Sequence, residues 1–132
     1  MAKILVIDDE ERNRKLLEIL MTADGYEVVS AANGQSGLRE IATAVPDLII
    51  LDVMMPGMDG FEVARSLKTN PQTRAIPILV ASSLDDAASR KRMISIKIDA
   101  FLVKPIDRWK LSRQVKELLH AGQDVQSPAT PE

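Results

Sequence analysis

Leu48-Ile49-Ile50-Leu51-Asp52 decides the fold: four bulky apolar residues in a row, stopping at an acid. A run this short, with no polar face and bounded by polar sequence, has the form of a strand buried on both faces of a parallel sheet. Two further runs share that form. Ile4-Leu5-Val6-Ile7 ends in Asp8-Asp9, and Phe101-Leu102-Val103 ends in Lys104. In an open parallel sheet ligands bind outside the carboxyl ends of the strands, so Asp8, Asp9, Asp52 and Lys104 are delivered to one crevice from distant parts of the chain. That crevice is the expected site of chemistry.

Between these runs, strand-like and helix-like stretches alternate. Leu16, Leu17 and Leu20 recur at helical spacing, and Asp24-Gly25 closes that helix with a residue free to take positive φ. Residues 26–31 read as a second strand. Asn33-Gly34 opens a helix with Leu38, Ile41, Ala42 and Val45 predicted inward, and Pro46 ends it. A loop containing Pro56-Gly57 leads to a helix with Val63, Ala64 and Leu67 inward, broken at Asn70-Pro71. A fourth strand over 78–81 precedes a helix starting near Asp85. The fifth strand precedes a helix capped by Asp107, with Leu111, Val115, Leu118 and Leu119 as its buried stripe. Five β/α units in series imply right-handed crossovers and a doubly wound α/β fold with helices on both faces. Residues 1–121 form the single predicted domain, and 122–132 read as a disordered tail or linker stub.

Composition narrows the function. The net charge is −2 with no basic cluster, which argues against direct binding to nucleic acid or an anionic membrane. Without cysteine there are no disulfides, thiolate nucleophiles or cysteine-based zinc sites. The first apolar run is too short for a signal peptide and breaks into Asp8-Asp9-Glu10-Glu11, so the expectation is a soluble, cytoplasmic protein. Carboxylates gathered at a sheet end need a counter-charge, which a hard cation such as Mg²⁺ supplies while leaving positions for water and phosphoryl oxygens. With Lys104 beside Asp52, that arrangement suits phosphoryl transfer to a carboxylate nucleophile. Ser82, just past the fourth strand, can reach the same crevice.

Four segments, ILVIDDE at 4–10, DLIILDVMMPGMDG at 47–60, PILVAS at 77–82 and FLVKP at 101–105, together resemble the response-regulator receiver domain, the CheY-like family. The likeness extends over about residues 3–120, and four motifs in order at strand ends are far more specific than any one of them. It implies a flavodoxin-like (βα)5 fold with a five-stranded parallel sheet in the order 2-1-3-4-5. It also implies that Asp52 is the phospho-acceptor, that Asp9 binds Mg²⁺ (or Mn²⁺) directly, and that Asp8 holds the ion largely through water. Asp52 and the backbone carbonyl of Met54 complete the implied ligands. Lys104 would contact the phosphoryl group, Ser82 would move to hydrogen-bond it, Phe101 would follow inward, and Pro105 would follow a cis peptide bond. The implied partners are a histidine kinase or phosphotransfer protein as donor and a downstream effector protein or domain, with a homodimer formed on phosphorylation as a further option. The output would be a changed surface around the fourth helix, fifth strand and last helix. Such a chain is a signalling switch that catalyses only its own phosphorylation and dephosphorylation.

Other readings carry less. A stand-alone regulator and the N-terminal receiver of a longer protein, a cyclic-dinucleotide enzyme or a transcription factor, both fit the motifs. An aspartate-nucleophile phosphatase of the haloacid dehalogenase-like group needs a second acid two residues after the nucleophile, where Met54 stands. A flavodoxin-like cofactor binder needs a phosphate cradle after the first strand, where acids stand. A phosphorylation-independent scaffold would not need every catalytic position filled. Asp59 reads as a helix cap, Glu10 as a solvated charge, His120 as a surface residue and Trp109 as partly exposed. Met54 and Leu84 flank the expected path of attacking water and cannot orient it, which predicts slow self-dephosphorylation. Ser82-Ser83 and Lys97-Ile98 stand where the family more often has Thr-Ala and Gly-Ala. Strict alternation over residues 94–99 suggests a strand, whereas the resemblance places the end of the fourth helix there. The helical reading is taken, with Ile94 and Ile98 inward, Ile96 more exposed and a loosely held helix end.

Overall fold

The computed structural model describes residues 1–55 and 58–126; the expected Pro56-Gly57 loop and residues 127–132 lie outside them. Ile4 to Ile7 are each no more than 1% exposed, as a strand covered on both faces must be. They belong to β1 (Lys3–Ile7), which pairs in parallel with β2 (Glu27–Ala31) on one side and β3 (Leu48–Leu51) on the other. β4 (Ile78–Ser82) pairs with β3, and β5 (Ala100–Val103) forms the far edge, so the sheet order is 2-1-3-4-5. Met54–Met55 and Met58–Asp59 form a separate two-residue antiparallel ladder beyond β3.

Alternation along each strand sends side chains to two faces. Leu5, Ile7, Ile49, Leu51, Ile78 and Val80 meet residues of α2 (Gly34–Thr43), α3 (Gly60–Thr69) and α4 (Ala87–Ile96). Ile4, Val6, Leu48, Ile50, Leu79 and Ala81 meet Leu17 and Met21 of α1 (Glu11–Ala23) and Leu111 and Val115 of α5 (Arg108–Gln126). Burying each such side chain contributes about 1.5–3 kcal/mol, so the central strands hold the two layers together. Asn33, Asp59, Asp86 and Asp107 accept backbone N–H groups at the starts of α2 to α5. Gly25 takes φ +96° after α1, as its place predicts. Among the described residues no helix is long and apolar enough to cross a membrane.

Several helix faces differ from the sequence expectation. On α1 the buried pair is Leu17 and Met21, and Leu16 is 48% exposed, because the stripe continues through methionine rather than leucine. On α2 the inner face is Gly34, Gly37 and Ile41, while Leu38, Ala42 and Val45 are exposed. A Cβ at Gly37 would stand 2.5 Å from Ile7 Cδ1, so the glycine lets the helix lie close on β1 and sets its rotation. At the end of α4 the helical reading holds, but the inward residues are exchanged: Ile96 is 6% exposed and Ile94 77%. Ser89, Met93 and Ile96 recur at helical spacing on the inner side, and Ile94 falls on the other.

That helix ends in a defined backbone turn. Lys97 takes φ 70°, Ile98 N–H donates to Met93 O at 3.1 Å and Lys97 N–H to Ile94 O at 3.0 Å, with Ile98 packed on the core. These two bonds form a Schellman motif built on a lysine instead of a glycine. α5 runs through Gly122 to Gln126, beyond the boundary expected at 121, because a helix already anchored by Leu111 and Val115 propagates at little cost per added residue.

Candidate functional site

Register alone sets the acids side by side. Ile7 pairs with Leu51, and the ladder continues one step further through Asp8 N–H to Ala31 O at 3.1 Å and Asp52 N–H to Ile7 O at 3.0 Å. On the other side Ser82 pairs with Val103, and Lys104 N–H donates to Ser82 O at 2.9 Å. Asp8, Asp52 and Lys104, just past β1, β3 and β5, thereby converge with Ser82, the last residue of β4, at one sheet end, as the sequence predicted. Lys104 Nζ donates to Asp8 Oδ2 at 3.2 Å and to Asp52 Oδ2 at 3.1 Å. The remaining oxygens are held by the backbone, Asp52 Oδ1 by Met54 N–H and Asp8 Oδ1 by Glu10 N–H, each at 2.9 Å.

Asp8 and Asp52 are buried, Asp9 is exposed at the rim, and one carboxylate oxygen from each lies within 4.8 Å of the others. Three hard oxygen donors at that spacing match the chemistry of a magnesium-type ion, which is held by few carboxylates and retains open positions. Burial pushes the Asp52 carboxyl above the ordinary aspartate range; the Met54 N–H and the Lys104 ammonium oppose that rise, and the Asp8 charge adds to it. For Lys104 burial acts downward, but hydrogen bonds and charges from Asp52 and Asp8 outweigh it and raise the ammonium above the usual lysine value.

The other expected residues surround this core. Ser82 is fully buried, and its hydroxyl accepts Leu84 N–H at 3.2 Å. Phe101 is half-buried against the α2–α3–α4 layer, with the Arg90 guanidinium 5.2 Å from its ring centre. Met54 is half-exposed and its sulfur accepts the Ser83 hydroxyl at 3.4 Å, whereas Leu84 turns into the core. The Lys104-Pro105 peptide is cis. Asp59 caps α3 through Phe61 N–H and pairs with Arg92 at 3.0 Å. His120 and Trp109 are exposed.

Two contributors escape the sequence reading. Arg14 Nη1 donates to Asp8 O at 2.7 Å and fixes the loop that carries the first acids. Its position one turn into α1, which starts just after the Asp8-Asp9 pair, was the available signal. Gly60 is the other: a Cβ there would stand 2.3 Å from Val53 Cα and 2.8 Å from Asp52 O, so only glycine lets α3 approach the backbone that carries Asp52.

Residues 4–116 match the response regulator receiver domain family. The chain is a response regulator receiver domain. Response regulator PleD of Caulobacter vibrioides is 47% identical to this receiver over 117 residues, 89% of the chain and 26% of PleD. The alkaline phosphatase synthesis transcriptional regulatory protein PhoP of Bacillus subtilis is 35% identical over 128 residues, 97% of the chain and 52% of PhoP. The receiver thus spans about a quarter to a half of these curated relatives. Chemotaxis protein CheY4 of Vibrio cholerae superposes on it with a TM-score of 0.84 at 30% identity, covering 89% of this chain and 98% of that one. The receiver therefore belongs to two-component signalling with the CheY-like fold.

Proposed function

We propose that this receiver takes a single phosphoryl group on Asp52 from the phosphohistidine of a histidine kinase or phosphotransfer protein and switches a partner-binding surface in response. The observation that carries this reading is the Lys104 ammonium bridging Asp8 and Asp52 at 3.2 and 3.1 Å, with Asp52 Oδ1 oriented by Met54 N–H. An Asp52 oxygen attacks phosphorus, the bond to the donor nitrogen breaks, and its electron pair leaves with the imidazole. Lys104 faces the transferred group and offsets its charge, while Met54 N–H keeps the acceptor carboxylate in one rotamer. Asp8, Asp9, Asp52 and the Met54 carbonyl would hold Mg²⁺ or Mn²⁺, which when bound supplies further neutralisation of phosphoryl oxygens.

Ser82 and Phe101 are the switch residues of this reading. The Ser82 hydroxyl, now tied to Leu84 N–H, would turn to the phosphoryl group, and the half-buried Phe101 would follow. The surface they control lies on α4, β5 and α5, where Ile94 and Trp109 are 77% and 71% exposed. Acetyl phosphate with Mg²⁺ tests the assignment. Intact-mass spectrometry should show one phosphoryl adduct on the wild-type chain and none on Asp52→Asn; an equal yield from both would overturn it.

A further inference from the structure

At the end of the sheet opposite Asp52, the last turns of α3 and α4 and the approach to β4 line an open cavity of about 640 Å³ whose lining includes Arg65, Lys68, Arg74 and Lys97. One of these charges is already spent. Lys68 donates to Asp99 Oδ2 at 2.7 Å and to Ile76 O at 3.0 Å, while the same Asp99 oxygen accepts Ile78 N–H at 2.8 Å. That pair closes the floor and compensates the negative end of α3. Arg65 pairs with Glu62 at 3.8 Å, more than half exposed on both sides, a weak pair, and its charge also bears on Asp59. The side chains of Arg74 and Lys97 have no hydrogen-bond or ion-pair partner among the described residues. A cavity lined by four cations against the one Asp99 carboxylate, with the Ser95 hydroxyl beside them, is complementary to concentrated negative charge.

Backbone conformation places one of these cations. Lys97 takes φ 70° and ψ 45° as the left-handed residue that ends α4, and that turn sets its charge on the rim of this cavity. No aromatic ring lines the space, so a base would find no stacking partner and recognition would fall on phosphates. We infer that this basal cavity binds a compact polyphosphate group, as pyrophosphate or as the phosphate chain of a nucleotide, through Arg65, Arg74 and Lys97.

Calorimetry and amide-shift mapping with pyrophosphate, ATP and orthophosphate, in magnesium-free buffer at low salt, test this directly. The expected result is saturable one-to-one binding of pyrophosphate with shifts confined to residues 65–76 and 95–99, weakened about tenfold by Arg74→Gln and by Lys97→Gly. Lys97→Gly keeps the turn, so a loss of binding there reports the charge and not misfolding. Asp52→Asn should leave the affinity unchanged. ATP binding tighter than pyrophosphate identifies a nucleotide ligand, and equal affinities identify the phosphate chain alone. Absence of saturable binding, shifts centred on the Asp52 crevice, or affinities indifferent to both substitutions would overturn the inference.

Discussion

Lys104 serves two acids at once, and removing either side of that arrangement should have opposite effects. Because burial raises Asp52 above its unfolded pKa, the folded chain binds that proton more tightly than the unfolded chain does. Stability attached to Asp52 is therefore fully present below the unfolded aspartate value and is lost as pH rises through the folded one. Asp52→Asn removes that loss. In metal-free urea titrations the variant should match wild type at the acid end of the range and exceed it at neutral pH; a wild-type advantage at neutral pH would contradict the charge balance. Lys104→Met does the reverse, stranding two buried carboxylates, and should cost about 3 kcal/mol in the same titration at neutral pH. Added Mg²⁺ should return part of it, since a second cation then replaces the lost one.

At the scale of the elements, the contact of α3 with the backbone after β3 is the tightest constraint near the site. A Cβ on residue 60 would meet Val53 Cα at 2.3 Å, and backbone cannot rotate away as a side chain can. Gly60→Ala should therefore displace the Asp52–Met54 segment, destabilise the fold by about 2 kcal/mol or more, and slow phosphorylation by acetyl phosphate at least tenfold. Wild-type rate and stability in that variant would mean that α3 can retreat. Strand ends and helix caps were legible in the sequence because each depends on a short local pattern: Leu48–Leu51 followed by an acid, or Asn33 before a helix. Helix rotation was not, since it depends on close approach. Nothing in the α2 sequence by itself says that Gly37 rather than Leu38 faces β1. The exchange of Ile94 and Ile96 has the same origin, an alternating pattern that suits strand and helix alike until neighbours fix the phase.

For the whole molecule, the three-layer α/β/α fold and its sheet order followed from alternation and resemblance, and so did the meeting of Asp8, Asp9, Asp52 and Lys104. The close approach of Gly60 and the cationic cavity at the opposite end were not foreseeable, because each joins segments with no shared sequence pattern; the Arg14 contact carried a local signal that the sequence reading did not use. One cooperative unit should result, since both helical layers pack on the same strands. In a urea series, phosphorylation competence and helical circular dichroism should fall together at one midpoint. Loss of phosphorylation well before the helix signal would show a site that melts on its own.

The ladder that ends in Lys104 N–H to Ser82 O is completed last in the direction of synthesis. Asp52 leaves the ribosome long before Lys104 does, so a nascent chain displays the acceptor without the lysine that neutralises it and without the edge strand that aligns Ser82. On the proposed reading, such a chain lacks the ammonium that would offset the phosphoryl charge. A chain that stops short of Lys104 should, on the proposed reading, take up phosphoryl groups poorly.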